Sequence, residues 1–327
     1  MQQVGCGRRR VLVGLVAGTA SALGGLPARA ADAWPTKPIR IVVPYPAGGV
    51  VDLQARALTQ QLSHDLGQPI LVENRPGANA NVGADAVARA DADGHTLLVS
   101  APFVVNNPLL EQNLRWAPRD FVPVARFSAS PGFIVVAADS PIRSLGDLVE
   151  RARRFDPPMR YGDPGAGSTG TISIEIMRTE AGFRILPVAY KGLPQVIPDL
   201  LNGSLDFTAL PLTLAKAQID AGRIRALANI SSRRAKALPD VPTVAELGMP
   251  KATVLSWYGL HAPAGTPEAV LARLERAVGA AVATVDVRER FIAAGGEEAF
   301  LGRAEFVRFL EADQARMQAI VNAGARQ

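Results

Sequence analysis

Short apolar segments typical of strands alternate with amphipathic segments typical of helices along most of this chain. The segment from Pro38 to Pro44 is apolar and bounded by prolines, which predicts a short buried strand. A helical pattern follows from about Val50 and ends at Gly67. The apolar stripe of that helix is predicted to comprise Leu53, Ala57, Leu58 and Leu62. Repetition of strand, helix and strand predicts an α/β fold with parallel strands covered by helices.

A second series of strands and helices begins near Phe133. Ser144 and Asp147 have the spacing of a capping box, which predicts the start of a helix that runs to Arg154. The last third of the chain, from Thr266 onward, has helical periodicity, and a helical tail of this length should pack on a sheet that is already formed. Between Arg154 and Thr266 the predicted strands are Met159 to Tyr161, Ile185 to Tyr190, Leu205 to Leu210 and Ile224 to Ile230.

Two such series in 327 residues predict two α/β lobes, each a sheet flanked by helices. We expect the chain to cross into the second lobe near residue 130 and to return near residue 255. The first lobe would then comprise 31–130 and 255–327, and the second lobe 131–254.

The first thirty residues have the pattern of an export signal. Arg8, Arg9 and Arg10 precede an apolar run that is too short to span a membrane, and the run ends in an A-x-A site at Ala30. We therefore expect cleavage after Ala30 and a periplasmic location. The arginine pair leaves both the general secretory route and the twin-arginine route open.

The formal net charge of +5 suggests at first a partner such as nucleic acid. Removal of residues 1–30 takes away four arginines and no acid, so the charge falls from +5 to +1. The sequence therefore predicts no nucleic-acid partner. Cys6 is the one cysteine and is lost with the signal, so the exported protein needs no disulfide.

Two glycine-rich loops stand between a predicted strand and a predicted helix. The first contains Ala47, Gly48 and Gly49, and glycines at such a position let backbone N–H groups point outward at a helix N-terminus. Such a loop suits a carboxylate or a phosphate, although a tight turn without a ligand has the same sequence.

The second loop runs from Asp163 to Gly170 and contains G-x-G-x-x-G. A dinucleotide site would need an acid at the end of the next strand, and none is present there, so no cofactor is expected. Ser168 and Thr169 either donate hydroxyls to an anion or only cap the helix. Two helix N-termini that face one cleft would hold a small anion without a buried arginine.

The chain has no recognisable catalytic set. His64, His95 and His261 lack the spacing of metal ligands, so no metal site is expected. A periplasmic enzyme that acts on a small carboxylate stays an alternative, with Asp163 or Asp206 as the base. We expect a binding protein and not an enzyme.

Six short segments carry a specific resemblance, and they begin at Trp34, Val72, Asp93, Tyr190, Leu238 and Ala262. Together they resemble the Bug family, the periplasmic solute receptors of tripartite tricarboxylate transporters. They follow the family's order, and the similarity covers essentially all of the exported chain.

The resemblance implies a two-lobed periplasmic binding fold, type II-like, that closes on a small carboxylate in the cleft between the lobes. It implies as partners the membrane subunits of a tripartite transporter or a sensor protein, and we expect a monomer. By resemblance or position, the candidate ligand-binding residues are Tyr45, Ala47, Gly48, Gly49, Ser100, Ala101, Pro102, Gly165, Gly167, Ser168, Thr169, Tyr190 and Leu210.

Three departures from the family pattern make the expected cleft more apolar. The loop after the third strand reads Ser100-Ala101-Pro102 where the family is richer in glycine, serine and threonine. Leu210 stands where many relatives have an aspartate, and Val50 and Val51 follow the first glycine loop. An amino-acid ligand would lose a partner for its ammonium group, which favours a carboxylate with an apolar or aromatic body.

Overall fold

The computed structural model describes residues 34–163, 168–190 and 193–324. The expected export signal and two of the candidate site residues, Gly165 and Gly167, lie outside these ranges. The described strands form two sheets. Those of the first sheet are β1 Ile39–Val43, β2 Ile70–Asn74, β3 Thr96–Ser100, β4 Phe121–Ser130, β10 Ser256–Pro263 and β11 Glu297–Leu301. Those of the second are β5 Gly132–Ala137, β6 Met159–Asp163, β7 Ile185–Ala189, β8 Phe207–Pro211 and β9 Ile224–Asn229.

Helices cover both sheets. Those that follow strands of the first sheet are α1 Val50–Leu66, α2 Asn81–Ala88, α3 Phe103–Leu110, α8 Glu268–Ala283, α9 Val285–Ala293 and α10 Arg303–Gly324. Those that follow strands of the second sheet are α4 Leu145–Arg154, α5 Thr169–Ala181, α6 Leu193–Leu201 and α7 Leu212–Asp220. The strand order is β11-β4-β10-β3-β1-β2 in the first sheet and β7-β6-β8-β5-β9 in the second.

The sheets are mixed, which corrects the prediction of parallel sheets. In the first sheet β1 pairs in parallel with β2 and β3, whereas β10 is antiparallel to both β3 and β4. In the second sheet β6 is parallel to β7 and β8, whereas β5 is antiparallel to β8 and β9. Each antiparallel part is built on a strand at a crossing between the sheets, because a chain that passes from one sheet to the other enters from the opposite end.

The two crossings lie side by side. Pro131 alone separates β4 from β5, and the return path leaves β9 at Ile230 and enters β10 at Ser256. The Ile230 N–H donates to the Gly132 carbonyl (2.9 Å), and the Val254 N–H donates to the Ile230 carbonyl (2.8 Å). The return path itself is long, but these bonds bring both of its ends beside the short connection at Pro131, and two adjacent crossings of this kind are typical of a hinge.

Several local predictions are confirmed. The first helix begins at Val50, and Gly67 ends it in the left-handed conformation, with φ of 71°. Ser144 caps α4, and its hydroxyl accepts a hydrogen bond from the Asp147 N–H (3.0 Å). The last helix, α10, packs on β4 of the first sheet, as expected for a helical tail.

Other predictions are wrong. Leu53 is 43% exposed, and Gln54 and Asp52 are buried instead, because the buried face of α1 follows the helices α8 and α9 packed on it as well as the sheet. The last third also contains the strand β11. Its two glutamates, Glu297 and Glu298, obscure the apolar pattern of a strand, so the sequence there indicates only a gap between two helices. The glycine pair Gly295 and Gly296 precedes that strand.

Each face of the second sheet has its own core. Alternate residues of β5 point to opposite faces, with Phe133 and Val135 in one cluster and Ile134 and Val136 in the other. All four side chains are fully buried. A sheet that is covered on both faces in this way is rigid and can present its strand ends as a fixed surface.

His261 in β10 is fully buried, and its Nδ1 lies 2.7 Å from the Ser100 hydroxyl oxygen. Burial lowers the pKa of His261 to about 3. In an unfolded chain the pKa of histidine is about 6.5, so between these values the unfolded state binds the extra proton and stability falls as the pH falls.

We expect this residue to remove about 2 kcal/mol from the free energy of unfolding between about pH 7 and about pH 5. The measurement is urea unfolding at both pH values for the wild type and for His261→Asn, whose loss should be smaller by that amount. His64→Asn, at an exposed histidine, is the control and should behave as the wild type. Equal pH dependence of the wild type and His261→Asn would contradict the prediction.

Candidate functional site

A cavity of about 250 Å³ lies between the two sheets, where the crossings meet the ends of the strands. Residues from the side of the first sheet that line it are Tyr45, Val50, Val51, Asn79, Ala101, Pro102, Phe103, Asn107, Ser130, Ser256 and Tyr258. Residues from the crossing and from the side of the second sheet are Pro131, Gly132, Ser168, Thr169, Gly170, Leu193, Ala209, Leu210, Pro211 and Ile230. Among the described residues, none that lines this cavity carries a charge.

The helix α1 begins at the cavity. Its N-cap residue, Gly49, makes no side-chain cap, so the N–H groups of Val50 and Val51 in the first turn have no side-chain acceptor there. Both valines line the cavity. The start of α1 therefore offers N–H donors and the positive end of a helix dipole beside two apolar side chains.

A buried carboxylate holds the loop before α1. Asp52 accepts hydrogen bonds from the Gly48 N–H (2.9 Å), the Arg56 Nε (2.9 Å) and the Asn74 Nδ2 (2.9 Å). Asn74 also donates to the Tyr45 carbonyl (3.1 Å). Because Asn74 ends β2, these bonds connect the loop of Tyr45 to Gly49 to a strand and to the helix.

Burial acts to raise the pKa of Asp52, but the hydrogen bonds from Arg56, Gly48 and Asn74 and the charge of Arg56 outweigh it. The pKa of Asp52 therefore lies below its ordinary value, and the group is ionised at neutral pH. Its charge faces the loop and Arg56, and Asp52 does not line the cavity.

The helix α5 begins on the opposite side of the same cavity. The Ser168 hydroxyl accepts a hydrogen bond from the Thr171 N–H (3.1 Å) and donates to the Thr171 Oγ1 (2.8 Å). Ser168 is thus the helix cap that the sequence left as one alternative. Thr169 and Gly170, the first two residues of α5, line the cavity.

Gly170 brings α5 close to the strand β8. A Cβ added to Gly170 would lie 2.6 Å from the Cβ of Ala209, far inside the ordinary contact distance. Only glycine lets this helix start approach β8, and Ala209 is one of the strand residues that line the cavity. The position of the α5 N-terminus therefore depends on this one close contact.

Two tyrosine side chains, those of Tyr45 and Tyr258, line the cavity from the side of the first sheet. Tyr258 in β10 is buried, and burial raises its pKa, an effect partly offset by hydrogen bonds with Ser256 and Ser130. Burial and the neighbouring Tyr258 also raise the pKa of Tyr45. Both hydroxyls are therefore neutral at physiological pH and able to donate a hydrogen bond.

Asn79 and Asn107 add amide groups to the cavity wall. The Asn107 Nδ2 donates to the Asn79 carbonyl (2.8 Å), and the Asn79 Nδ2 donates to the Asn107 Oδ1 (3.1 Å). Asn79 has φ of 53° in the left-handed region, which asparagine tolerates better than most residues. The sequence pattern indicated neither residue as part of the site, although adjacent left-handed positions favour an asparagine such as Asn79.

Of the residues predicted from sequence, the structure brings Tyr45, Ala101, Pro102, Ser168, Thr169 and Leu210 together at the cavity. Ala47, Gly48 and Gly49 do not line it and lie in the loop just before α1. Ser100 is buried against His261. The residues missed include several at or near the crossings, such as Ser130, Ile230 and Tyr258.

Tyr190 also lies away from the cavity lining. Its hydroxyl donates to the Asp199 Oδ2 (2.6 Å). This hydrogen bond, together with burial and the Asp199 charge, raises the pKa of Tyr190 to about 12. The structure thus uses Tyr190 to join the end of β7 to α6.

The two acids considered as catalytic bases do not line the cavity. Asp163 accepts a hydrogen bond from the Thr171 hydroxyl (2.6 Å) at the start of α5. Asp206 pairs with Arg160 (3.3 Å). Within the described residues there is also no group of three or more His, Cys, Asp or Glu that could hold a metal ion, and no helix long and apolar enough to cross a membrane.

Two sheets flanked by helices, joined by two adjacent crossings and enclosing a cavity between them, define a periplasmic binding protein fold. Residues 54–325 match the family described as "Tripartite tricarboxylate transporter family receptor". The chain belongs to this TctC family, whose members are periplasmic solute-binding receptors. The resemblance inferred from the sequence is therefore confirmed.

Named relatives agree with this membership. BugT from Bordetella pertussis is 35% identical over 270 residues, which are 81% of this chain and 82% of BugT. A Rhodopseudomonas palustris protein solved with adipate is 32% identical, with a TM-score of 0.77 over 88% of this chain and 97% of that one. MatC from the same organism, solved with bound malate, is 28% identical, with a TM-score of 0.72 over 88% of this chain and all of MatC.

Proposed function

We propose that this protein captures a small carboxylate with an apolar or aromatic body in the cavity between two lobes. The observation that carries the proposal is a cavity at which two helix N-termini from different sheets meet and to which the described residues contribute no charged side chain. An anion there gains from both helix dipoles and from free N–H groups, and no cationic side chain is needed. The ligands of the two solved relatives, adipate and malate, are carboxylates.

Each part of such a ligand has a fitting partner. The carboxylate would accept hydrogen bonds from the first N–H groups of α1 and α5, from the Thr169 hydroxyl and from the phenols of Tyr45 and Tyr258. The apolar body would pack on Val50, Val51, Phe103, Leu210 and Ile230, all of which line the cavity. No acid in the described part of the chain lines it, so the ammonium group of an amino acid would be left unpaired.

The lobes in this proposal are 31–130 with 255–327, and 131–254. The sheet to which each strand belongs supports these bounds, and the adjacent crossings at Pro131 and near Leu255 would act as the hinge. We propose further that residues 1–30 are an export signal, that the protein works as a monomer, and that it delivers its ligand to the membrane subunits of a tripartite transporter. It would perform no chemistry on the ligand.

The test is a thermal-shift and calorimetric screen of protein that has been unfolded and refolded to remove any ligand from the host. The panel pairs adipate, malate and benzoate with their neutral amides, and pairs glutarate with glutamate. A ligand at 100 times its dissociation constant adds about 2.7 kcal/mol to the free energy of unfolding, or a few degrees in Tm. We expect the carboxylates to stabilise the protein and the amides to have no effect.

The pair of glutarate and glutamate isolates the ammonium group. Glutarate should bind at least about tenfold more tightly, because the unpaired ammonium costs more than about 1.4 kcal/mol. Tighter binding of glutamate would keep a receptor but overturn the apolar ligand. The absence of any response to carboxylates would overturn the proposed function.

Leu210→Asp tests the same point from the side of the protein. Leu210 is buried and lines the cavity, so a carboxylate there should repel an anionic ligand and weaken adipate binding by at least about tenfold. Leu210→Asn has nearly the same size and no charge, and its smaller effect separates charge from lost packing. Equal affinities of the wild type and Leu210→Asp would place the ligand elsewhere.

A further inference from the structure

A second cavity, of about 530 Å³, lies on the other side of the crossings; we call it the hinge cavity. Ala129 and Leu255 line it, whereas their neighbours Ser130 and Ser256 line the first cavity. Adjacent residues of a strand point to opposite faces, so the two cavities lie back to back across the hinge. Pro131 at the crossing lines both.

Three arginines and two glutamates line the hinge cavity, and only two of these arginines form an ion pair within the described residues. Arg233 pairs with Glu297 (3.7 Å), and Arg288 pairs with Glu298. Arg126 has no ion-pair partner among the described residues. Its Nε donates to the Ala299 carbonyl (2.8 Å), and its guanidinium stands over the Phe309 ring, 4.7 Å from the ring centre.

The surroundings of Arg126 disfavour its charge. Burial and the charge of Arg233 lower the pKa of Arg126 to about 10, and the field of Glu305, which is beyond ion-pair distance, offsets this only in part. The guanidinium is still protonated at neutral pH, so the hinge cavity contains a cation that forms no ion pair with any described residue.

A second polar group in the hinge cavity lacks a partner. Ser231, which follows β9, is 3% exposed, and its hydroxyl makes no hydrogen bond with any described residue. Ser231 and Ser232 line the cavity together with Arg126. A buried hydroxyl without a partner is costly, and a bound oxyanion would satisfy it.

The wall of the hinge cavity comes from both sides of the hinge. Arg126 and Glu297 belong to strands of the first sheet, whereas Ser231 and Arg233 follow the last strand of the second sheet. Closure of one lobe on the other must change the distance between these groups. A ligand that binds both sides will therefore prefer one of the two states.

We propose that the hinge cavity is a second binding site, which takes a small oxyanion, carboxylate or phosphate, through Arg126 and Ser231. The bound anion couples to the ligand cleft by favouring one hinge position. The binding claim stands on these residues alone, whereas the coupling claim rests on the proposed function.

The test is calorimetric titration of the refolded full chain with inorganic phosphate and, separately, with citrate, at low ionic strength. Arg126→Gln keeps a donor for Ala299 but removes the charge, and we expect at least about tenfold weaker binding. Ser231→Ala should also weaken binding and serves as the second variant if Arg126→Gln does not fold. The preference for phosphate or citrate shows which oxyanion the site takes.

Arg223→Gln is the matched control. Arg223 is exposed and stands at the opposite end of β9 from Ser231, so the same change of charge there should leave binding unchanged. The proposal is overturned if neither anion binds the wild type at millimolar concentration. It is also overturned if the Arg126 and Ser231 variants bind as the wild type does.

Coupling is measured as the affinity for adipate with and without the better of the two anions at saturation. We expect a change of about fivefold or more, and the anion's affinity must change by the same factor when adipate is bound. No change would remove the coupling and leave the site. If adipate, malate, benzoate and glutarate fail to bind while phosphate or citrate binding depends on Arg126, the proposed function fails and the hinge site stands.

Discussion

Asp52→Ala should lower the free energy of unfolding by about 2 kcal/mol at neutral pH, because a buried ionised acceptor of three hydrogen bonds is removed. It should also weaken carboxylate binding by about tenfold. The Gly48 N–H and the Asn74 Nδ2 would lose the carboxylate that joins them, and the start of α1 would no longer be held in one position at the cavity. Urea unfolding and calorimetry measure the two effects.

The chain has a matched control for this substitution. Asp286 and Arg290 form the same aspartate–arginine pair four residues apart, with the aspartate in the first turn of α9, but there both side chains are exposed. Asp286→Ala should change the free energy of unfolding by less than about 0.5 kcal/mol and leave ligand binding unchanged. If Asp52→Ala were no more costly than Asp286→Ala, the hydrogen bonds of Asp52 would not hold the loop.

Gly170→Ala should weaken carboxylate binding by at least about tenfold and lower the free energy of unfolding by about 1–3 kcal/mol. The new methyl group would stand 2.6 Å from the Cβ of Ala209, so α5 must move away from β8. Thr169 and the N–H groups of the first turn would move with it, away from the cavity. A shift of a few tenths of an ångström is enough to spoil several hydrogen bonds at once.

Gly146→Ala is the control for Gly170→Ala. Gly146 is also the second residue of a helix capped by serine, but a Cβ there would lie 3.6 Å from the Ser144 hydroxyl oxygen, an ordinary contact. This substitution should be neutral or stabilise the protein by up to about 1 kcal/mol through helix propensity.

The second substitution Ala209→Gly, added to Gly170→Ala, removes the opposing methyl group and should restore most of the lost affinity. Coupling of this kind is expected only for residues in direct contact. Failure of the pair to recover binding would mean that the close contact of α5 and β8 does not position the site.

Local features of the fold were predictable because the cause is contained in a few neighbouring residues. Ser144 and Asp147 satisfy each other's backbone groups whatever the rest of the chain does, and Gly67 adopts its left-handed φ at little cost. The alternation of strands and helices likewise predicts the α/β class. The strand β11 and the exposed side chain of Leu53 could not be read in this way, since both depend on elements far away in sequence.

In the candidate site, too, features set by neighbouring residues were predictable, and features that depend on distant elements were not. The sequence indicated two glycine-rich loops at helix N-termini, and both helices, α1 and α5, begin at one cavity. It did not indicate that the Ser168 hydroxyl bonds with Thr171, or that the Ser100 hydroxyl contacts His261 instead of lining the cavity. Packing decides to which face of a strand a side chain points and which hydrogen-bond partner it takes.

The family, the α/β class and the positions of the two glycine-rich loops follow from the order of residues alone, because motifs, caps and turns are short-range. Only the tertiary structure decided that none of the described residues lining the first cavity is charged, that Asn79 and Asn107 border it, and that Arg126 and Ser231 line the second cavity. These arrangements join residues that are up to about two hundred positions apart, and burial, which sets their chemistry, exists only once both sheets have formed.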